Sequence, residues 1–177
     1  VNSDEDGHLQ VVSDGHMTLK GYPSFEYGIG TSATSIPSVF SEEGDGFGDV
    51  MKLLNTTIVK GDIYYLSSSS PAWVKAQAND TNDGGTGELL GVAMGTNSNT
   101  HGLLLRGLVR IDTGSYNGTA VIGDAGYLSD DTAGQLDFTA PADSGEVVRV
   151  LGNCVQSGSD GNIVFYFNPS GDYVEIA

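Results

Sequence analysis

The chain has 177 residues, of which 38% are hydrophobic, with 26 Gly against 5 Pro. That is enough chain for one or two small domains with a real core, too apolar for a disordered polymer, and it lacks the glycine period of collagen. The formal charge is −16, with nine acids and one Lys in residues 1–50 and fourteen acids and six bases in residues 51–177, so nucleic acid and membrane are not expected partners.

Residues 1–48 read as an extended, β-rich N-terminal segment. Asp6-Gly7-His8-Leu9 recurs as Asp14-Gly15-His16-Met17, and each copy leads into a short alternating run. Short strands joined by Asp-Gly turns suit a hairpin or a narrow shaft. His8 and His16 hold equivalent places, so copies arranged about a symmetry axis would bring their imidazoles together; surface turn residues are the plainer reading. The acidic, Gly-rich link from Ser41 to Gly48 marks the boundary. This segment has too little apolar side chain for its own core, and is expected to rest on a neighbour or on copies of itself. The chain opens at Val1 without Met, as a processed product or a fragment would, and no signal peptide or membrane-length apolar run is visible.

From Asp49 onward the sequence repeats itself. Gly61-Asp62-Ile63-Tyr64-Tyr65-Leu66-Ser67 returns as Gly123-Asp124-Ala125-Gly126-Tyr127-Leu128-Ser129, and Leu90-Gly91-Val92-Ala93 returns as Leu151-Gly152-Asn153-Cys154. A Gly-containing turn follows in each copy (Thr100-His101-Gly102, Ser159-Asp160-Gly161), then an apolar run, Leu103 to Ile111 or Ile163 to Phe167. Landmarks in register predict one supersecondary unit built twice. The fold class expected is all-β, with two similar sandwich- or barrel-like units, 49–114 and 115–177, packed together behind the N-terminal segment. Strict alternation over Leu103–Ile111 puts Leu103, Leu105, Gly107, Val109 and Ile111 on one face, and Leu104, Arg106, Leu108 and Arg110 on the other. Val50 to Leu54 fits a helical turn or a strand. Asp112 to Gly118 reads as a polar linker, and Cys154, aligned with Ala93, as a small buried residue that no second cysteine can bridge.

No catalytic constellation emerges. Gly30-Thr31-Ser32-Ala33-Thr34 lacks the closing glycine of a nucleophile elbow, and Gly28-Ile29-Gly30 leads into Pro37 rather than a phosphate-binding helix. Asp62 and Asp124 follow Gly at strand starts, where Asp serves the turn more often than chemistry. No cofactor and no metal are expected: His8, His16 and His101 lack zinc spacing, and Asp80, Asn82, Asp83 and Gly84 depart from a calcium loop in ligand alternation and in the missing Glu. Arg106 and Arg110 project from an apolar strand, and Arg149 lies inside Val147–Leu151. Such cations either reach solvent or meet acid across an interface, so Arg106, Arg110 and Arg149 are candidate contact residues between subunits.

Lys20 to Tyr27, Thr34 to Phe40, Gly61-Asp62-Ile63-Tyr64-Tyr65-Leu66, Gly102 to Gly107, Gly123-Asp124 with Tyr127-Leu128-Ser129, Ala140-Pro141, Val147 to Gly152, Phe167-Asn168-Pro169-Ser170 and Tyr173 to Ile176 follow a familiar order. In that order the chain from Lys20 onward resembles virion structural proteins of tailed bacteriophages, marine and cyanobacterial ones especially, which are tail-fibre-like or capsid-decoration proteins. The sequence departs from that pattern at Ala125-Gly126, where bulkier residues are usual and where a bulge or close backbone approach is expected. The resemblance implies a non-enzymatic protein of the virion surface that contacts other virion proteins, with no cofactor. A homo-oligomer is expected, a trimer favoured, serving as a tail-fibre or appendage module, with capsid decoration as the alternative. Two other readings stay open: a module binding host surface glycan through Tyr64, Tyr65, Trp73 and Tyr116, or a self-polymerising fibre subunit.

Overall fold

The computed structural model of the protein describes residues 2–3, 9–10, 36–79 and 87–177. These residues form strands and turns only, with no helix among them. β1 (Asn2–Ser3) and β2 (Leu9–Gln10) make a small antiparallel ladder. Of the expected N-terminal shaft, residues 1, 4–8 and 11–35, His8 and His16 among them, lie outside the described residues, whereas 36–48 are described and end in a strand of the main sheet.

A ten-stranded sheet carries the fold. Its first part contains β4 (Ile63–Ser67), β5 (Ala72–Lys75), β6 (Leu90–Ala93) and β7 (Leu103–Ile111), in the order β5-β4-β6-β7. β8 (Tyr116–Asn117) follows, then β9 (Ala125–Leu128), β10 (Leu136–Asp137), β12 (Val150–Ser157) and β13 (Ile163–Phe167), the last four in the order β10-β9-β12-β13. The two orders correspond strand for strand. They meet where β13 pairs antiparallel with β7, so both halves share one sheet instead of each closing its own. β3 (Gly46–Met51) also pairs with β7, and β8 joins β10 in the sheet's one parallel ladder. A second, small sheet pairs β11 (Val147–Val148) with β14 (Val174–Glu175).

The hydrogen bonds around the repeated Gly-Asp pairs also correspond. Gly61 N donates to Ala93 O at 2.9 Å, and Gly123 N to Cys154 O at 2.7 Å. Ala93 N returns a bond to Asp62 O and Cys154 N to Asp124 O, both at 2.9 Å. Asp62 N closes a turn onto Val59 O, and Asp124 N onto Val121 O. Gly61 and Gly123 hold φ of 76° and 96°, a conformation that costs glycine nothing and other residues about 1 kcal/mol or more.

Strict alternation fails in β7. Asp49 pairs with Arg106 but the next residue, Val50, pairs with Leu104, so the ladder skips Leu105. A bulge of this kind puts two successive side chains on one side. Leu104 therefore shares the main core with Val109 and Ile111, while Leu103 belongs to a second cluster with Ile58, Tyr64, Trp73 and Ala93. Val50 to Leu54 resolves as the end of β3 followed by irregular chain, with Leu54 at φ 63°.

The sheet curls so that its inner face encloses the main core, to which both halves contribute: Ile63, Leu90, Val92 and Leu104 from the first, Leu128, Leu136, Leu151, Cys154, Phe165 and Phe167 from the second. The seam is bonded through the main chain. Ile63 N donates to Gly134 O at 2.7 Å, Gly134 N to Ala76 O at 2.7 Å, Ala78 N to Ser129 O at 2.9 Å and Val147 N to Ala78 O at 2.8 Å. The halves do not present matching faces to this core. Tyr64, Leu66 and Ala93 pack in the second cluster, whereas their counterparts Gly126, Leu128 and Cys154 face the main core. The expectation that Ala93 and Cys154 are both buried holds, but they are buried on opposite sides of the sheet. Asp112 to Gly118, read as a linker, is tied down: Thr113 N donates to Asn162 Oδ1 at 2.9 Å and Tyr116 Oη to Gly161 O at 2.6 Å.

Candidate functional site

The three arginines expected to mark an interface sit in three different surroundings. Arg106 faces Asp49 across the β3–β7 ladder, Nη2 to Oδ2 at 3.0 Å, and both side chains are more than 60% exposed (62% and 63%). Arg110 is half-buried: its Nε reaches Asp112, and its Nη1 donates to Phe40 O at 2.9 Å and Ser41 O at 2.7 Å. It thus straps the chain entering β3 against β7. Arg149 is buried, with Nε donating to Ser170 O at 2.8 Å and Nη1 to Glu88 O at 3.2 Å. Burial lowers its tendency to hold a proton, and the nearby Glu88 carboxylate works against that. Backbone carbonyls from both halves of the chain are what make an arginine tolerable there.

The carboxylates of the Gly-Asp turns have separate fates. Asp62 is buried and lies 2.6 Å from Lys75 Nζ, beneath Gly134. Burial pushes its carboxyl above the ordinary value of 3.8 against the pull of Lys75, and the contact with Asp62 raises Lys75 in turn. Asp124 is exposed. The two copies therefore do not supply a matched pair of carboxylates. Sequence reasoning missed Lys75 as the partner of Asp62, and no spacing rule links them: β4 and β5 bring them together through their hairpin.

The acidic stretch before β3 is likewise occupied. Glu42 pairs with Lys60, and Asp45 accepts from Ser41 Oγ and Glu42 N, both at 2.9 Å. Among the described residues no three His, Cys, Asp or Glu side chains converge as a metal site would require. Asp80, Asn82, Asp83 and Gly84 lie outside the described residues.

The aromatic rings considered for sugar stacking are used in packing. Tyr64 is buried with its hydroxyl accepting from Val59 N at 2.9 Å, and Trp73 is buried with Nε1 donating to Leu53 O at 3.1 Å. Tyr65 packs against the main core. Tyr116 meets Phe138 edge-on at 5.5 Å, and Phe138 meets Phe165 at 6.3 Å. At Gly126, where the sequence suggested a bulge or close backbone, a Cβ would meet Leu136 Cδ1 at 2.6 Å and the Phe165 ring at 2.8 Å. The expected irregularity is present, with the ladder shifting register between the Tyr127–Val150 and Gly126–Gly152 pairs, and core side chains take the space that a bulkier residue would fill. His101 is an exposed loop residue.

Comparison with protein-family models, with curated proteins and with solved structures gave no match.

Proposed function

We propose that the chain is a non-enzymatic structural protein of a tailed-bacteriophage particle, a multimeric tail-fibre or appendage module at the virion surface, built from a duplicated β unit. The observation that carries this reading is the duplicate hydrogen-bond set about Gly61-Asp62 and Gly123-Asp124, within two matching strand orders. Its side chains are spent on holding sheet together: Asp62 on Lys75, Arg149 on carbonyls, Tyr64 and Trp73 on the core. That economy suits a building block, and the order of sequence landmarks supplies the phage assignment. The acidic surface accords with a protein that meets other proteins and not the genome. Burial of Tyr64 and Trp73, and the partial burial of Tyr65 and Tyr116, supports the structural reading over the glycan-binding one.

Mass spectrometry of purified particles, with heads and tails separated, tests the assignment, and electron cryomicroscopy of the intact particle counts the copies. Copies on the tail support the proposal. Copies confined to the head lattice replace it with capsid decoration, and absence from the particle overturns both.

A further inference from the structure

We propose that residues 36–51 form an exchangeable arm, which in the multimer leaves its own body and completes the sheet of a second copy of this chain. The arm is held on the body by a small set of contacts. Phe40 is buried against Leu108 and Val164, β3 pairs with β7, and Arg110 Nη1 donates to Phe40 O and Ser41 O. Glu42 pairs with Lys60, and Gly44 N donates to Arg110 O at 3.0 Å. These partners all lie after residue 54, so the arm of another molecule would meet the same groups in the same geometry.

Two observations point to exchange with a second copy. The first is the hinge. The chain leaves β3 at Met51 and passes through Leu54 at φ 63°, the one non-glycine residue of positive φ among the described residues. Leucine is disfavoured there because its Cβ crowds the following carbonyl, and an extended hinge relieves that crowding. Short hinges under strain favour exchange of the element they carry. The second is how closely the β7 edge selects its partner. A Cβ on Gly46 would lie 2.4 Å from Leu108 O, and one on Gly48 would lie 2.0 Å from Arg106 O. A strand taking this place needs glycine at both positions and suits an acid opposite Arg106, which Gly46-Phe47-Gly48-Asp49 supplies. The occupant is therefore the arm of another copy. Reciprocal exchange closes a dimer, and cyclic exchange closes a trimer.

The inference rests on the multimeric part of the proposed function. Asp49 and Arg106 face each other across the ladder and are both exposed, so they report which chain supplies the arm. Full-length Asp49→Cys and Arg106→Cys, each with Cys154→Ala to remove the native thiol, are mixed, unfolded in urea, refolded together and treated with a short bismaleimide. Exchange predicts a covalent product joining the two variants, absent when either is refolded alone. The double variant Asp49→Cys/Arg106→Cys should then link between chains and not within them. Sedimentation equilibrium of hinge variants gives an independent reading. Leu54→Ala and Leu54→Gly lose nearly the same packing, but only glycine takes φ 63° without strain, so Leu54→Gly should dissociate at least about fivefold more readily. A multimer that cross-links only within chains, or hinge variants that associate equally, overturns the exchange and leaves the multimer. A wild-type monomer at every concentration overturns both.

Discussion

Gly48 and Gly107 stand opposite one another in the β3–β7 ladder, each in a mirror-image extended conformation, with φ of 151° and 144°. A Cβ on Gly48 would lie 2.0 Å from Arg106 O, and one on Gly107 would lie 2.0 Å from Phe47 O. The obstruction is backbone in both cases, so no rotamer change relieves it. Gly107→Ala should cost at least about 3 kcal/mol, strain and clash together, whereas Gly114→Ala should cost about 1 kcal/mol. Gly114 also has positive φ, 93°, but open space around it. Urea denaturation of both variants checks the difference; equal losses would mean that φ alone decides.

The exposed and the buried arginine should respond unequally to truncation. Arg106→Ala removes a solvent-exposed pair with Asp49 and should cost less than about 1 kcal/mol. Arg149→Ala strands the carbonyls of Ser170 and Glu88 in a buried site and should cost about 2–4 kcal/mol. Chemical denaturation at two protein concentrations separates these from interface effects. If Arg106→Ala loses stability only at low concentration, the side chain bridges subunits.

Alkali should unfold the protein before acid loosens its seam. Burial raises Cys154, Tyr64 and Tyr116 above their ordinary values of 9.0 and 10.0, and the Asp62 carboxylate raises Lys75 above 10.5. Each contributes stability that is fully present below its unfolded pKa and is lost as pH rises through the folded one. Asp62 is also raised, by burial that outweighs the pull of Lys75, so its protonation as pH falls favours the folded state. The melting temperature should therefore fall from about pH 9 upward, with Cys154→Ala delaying the onset. A profile falling first on the acid side would count against this account.

Both halves should melt in one transition. The main core draws Ile63 and Leu104 from one half, Phe165 and Phe167 from the other, and main-chain bonds join Ile63 to Gly134 and Ala78 to Ser129. Neither half keeps a closed core alone. Calorimetric and van't Hoff enthalpies should agree; a van't Hoff value near half the calorimetric one would mean independent units.

The Gly-Asp turns were legible in the sequence because a sharp entry into a strand restricts residue choice, and Gly61 and Gly123 satisfy that restriction identically. The face of each strand was less legible. Alternation says nothing about where a bulge resets it, and the skipped Leu105 in β7 exchanged the sides assigned to Leu103 and Leu104. The surroundings of the arginines were hidden for a related reason. Whether a cation in an apolar run meets Asp49, a carbonyl or water depends on strands distant in sequence, as Arg149 shows by reaching from Glu88 to Ser170.

Serving three neighbours makes β7 a bottleneck in time. Met51 pairs with Leu103 and Ile163 with Ile111, so two of its three partners lie roughly fifty or more residues away along the chain, one in each direction, and only β6 is near. Closing loops of that length precedes any reward from the ladder, which places folding in the slow range of roughly milliseconds to seconds. During synthesis β7 emerges before β13 exists. Until then its apolar run is sheltered by β3 and β6 alone, and that interval is when the growing chain is most prone to stick to another.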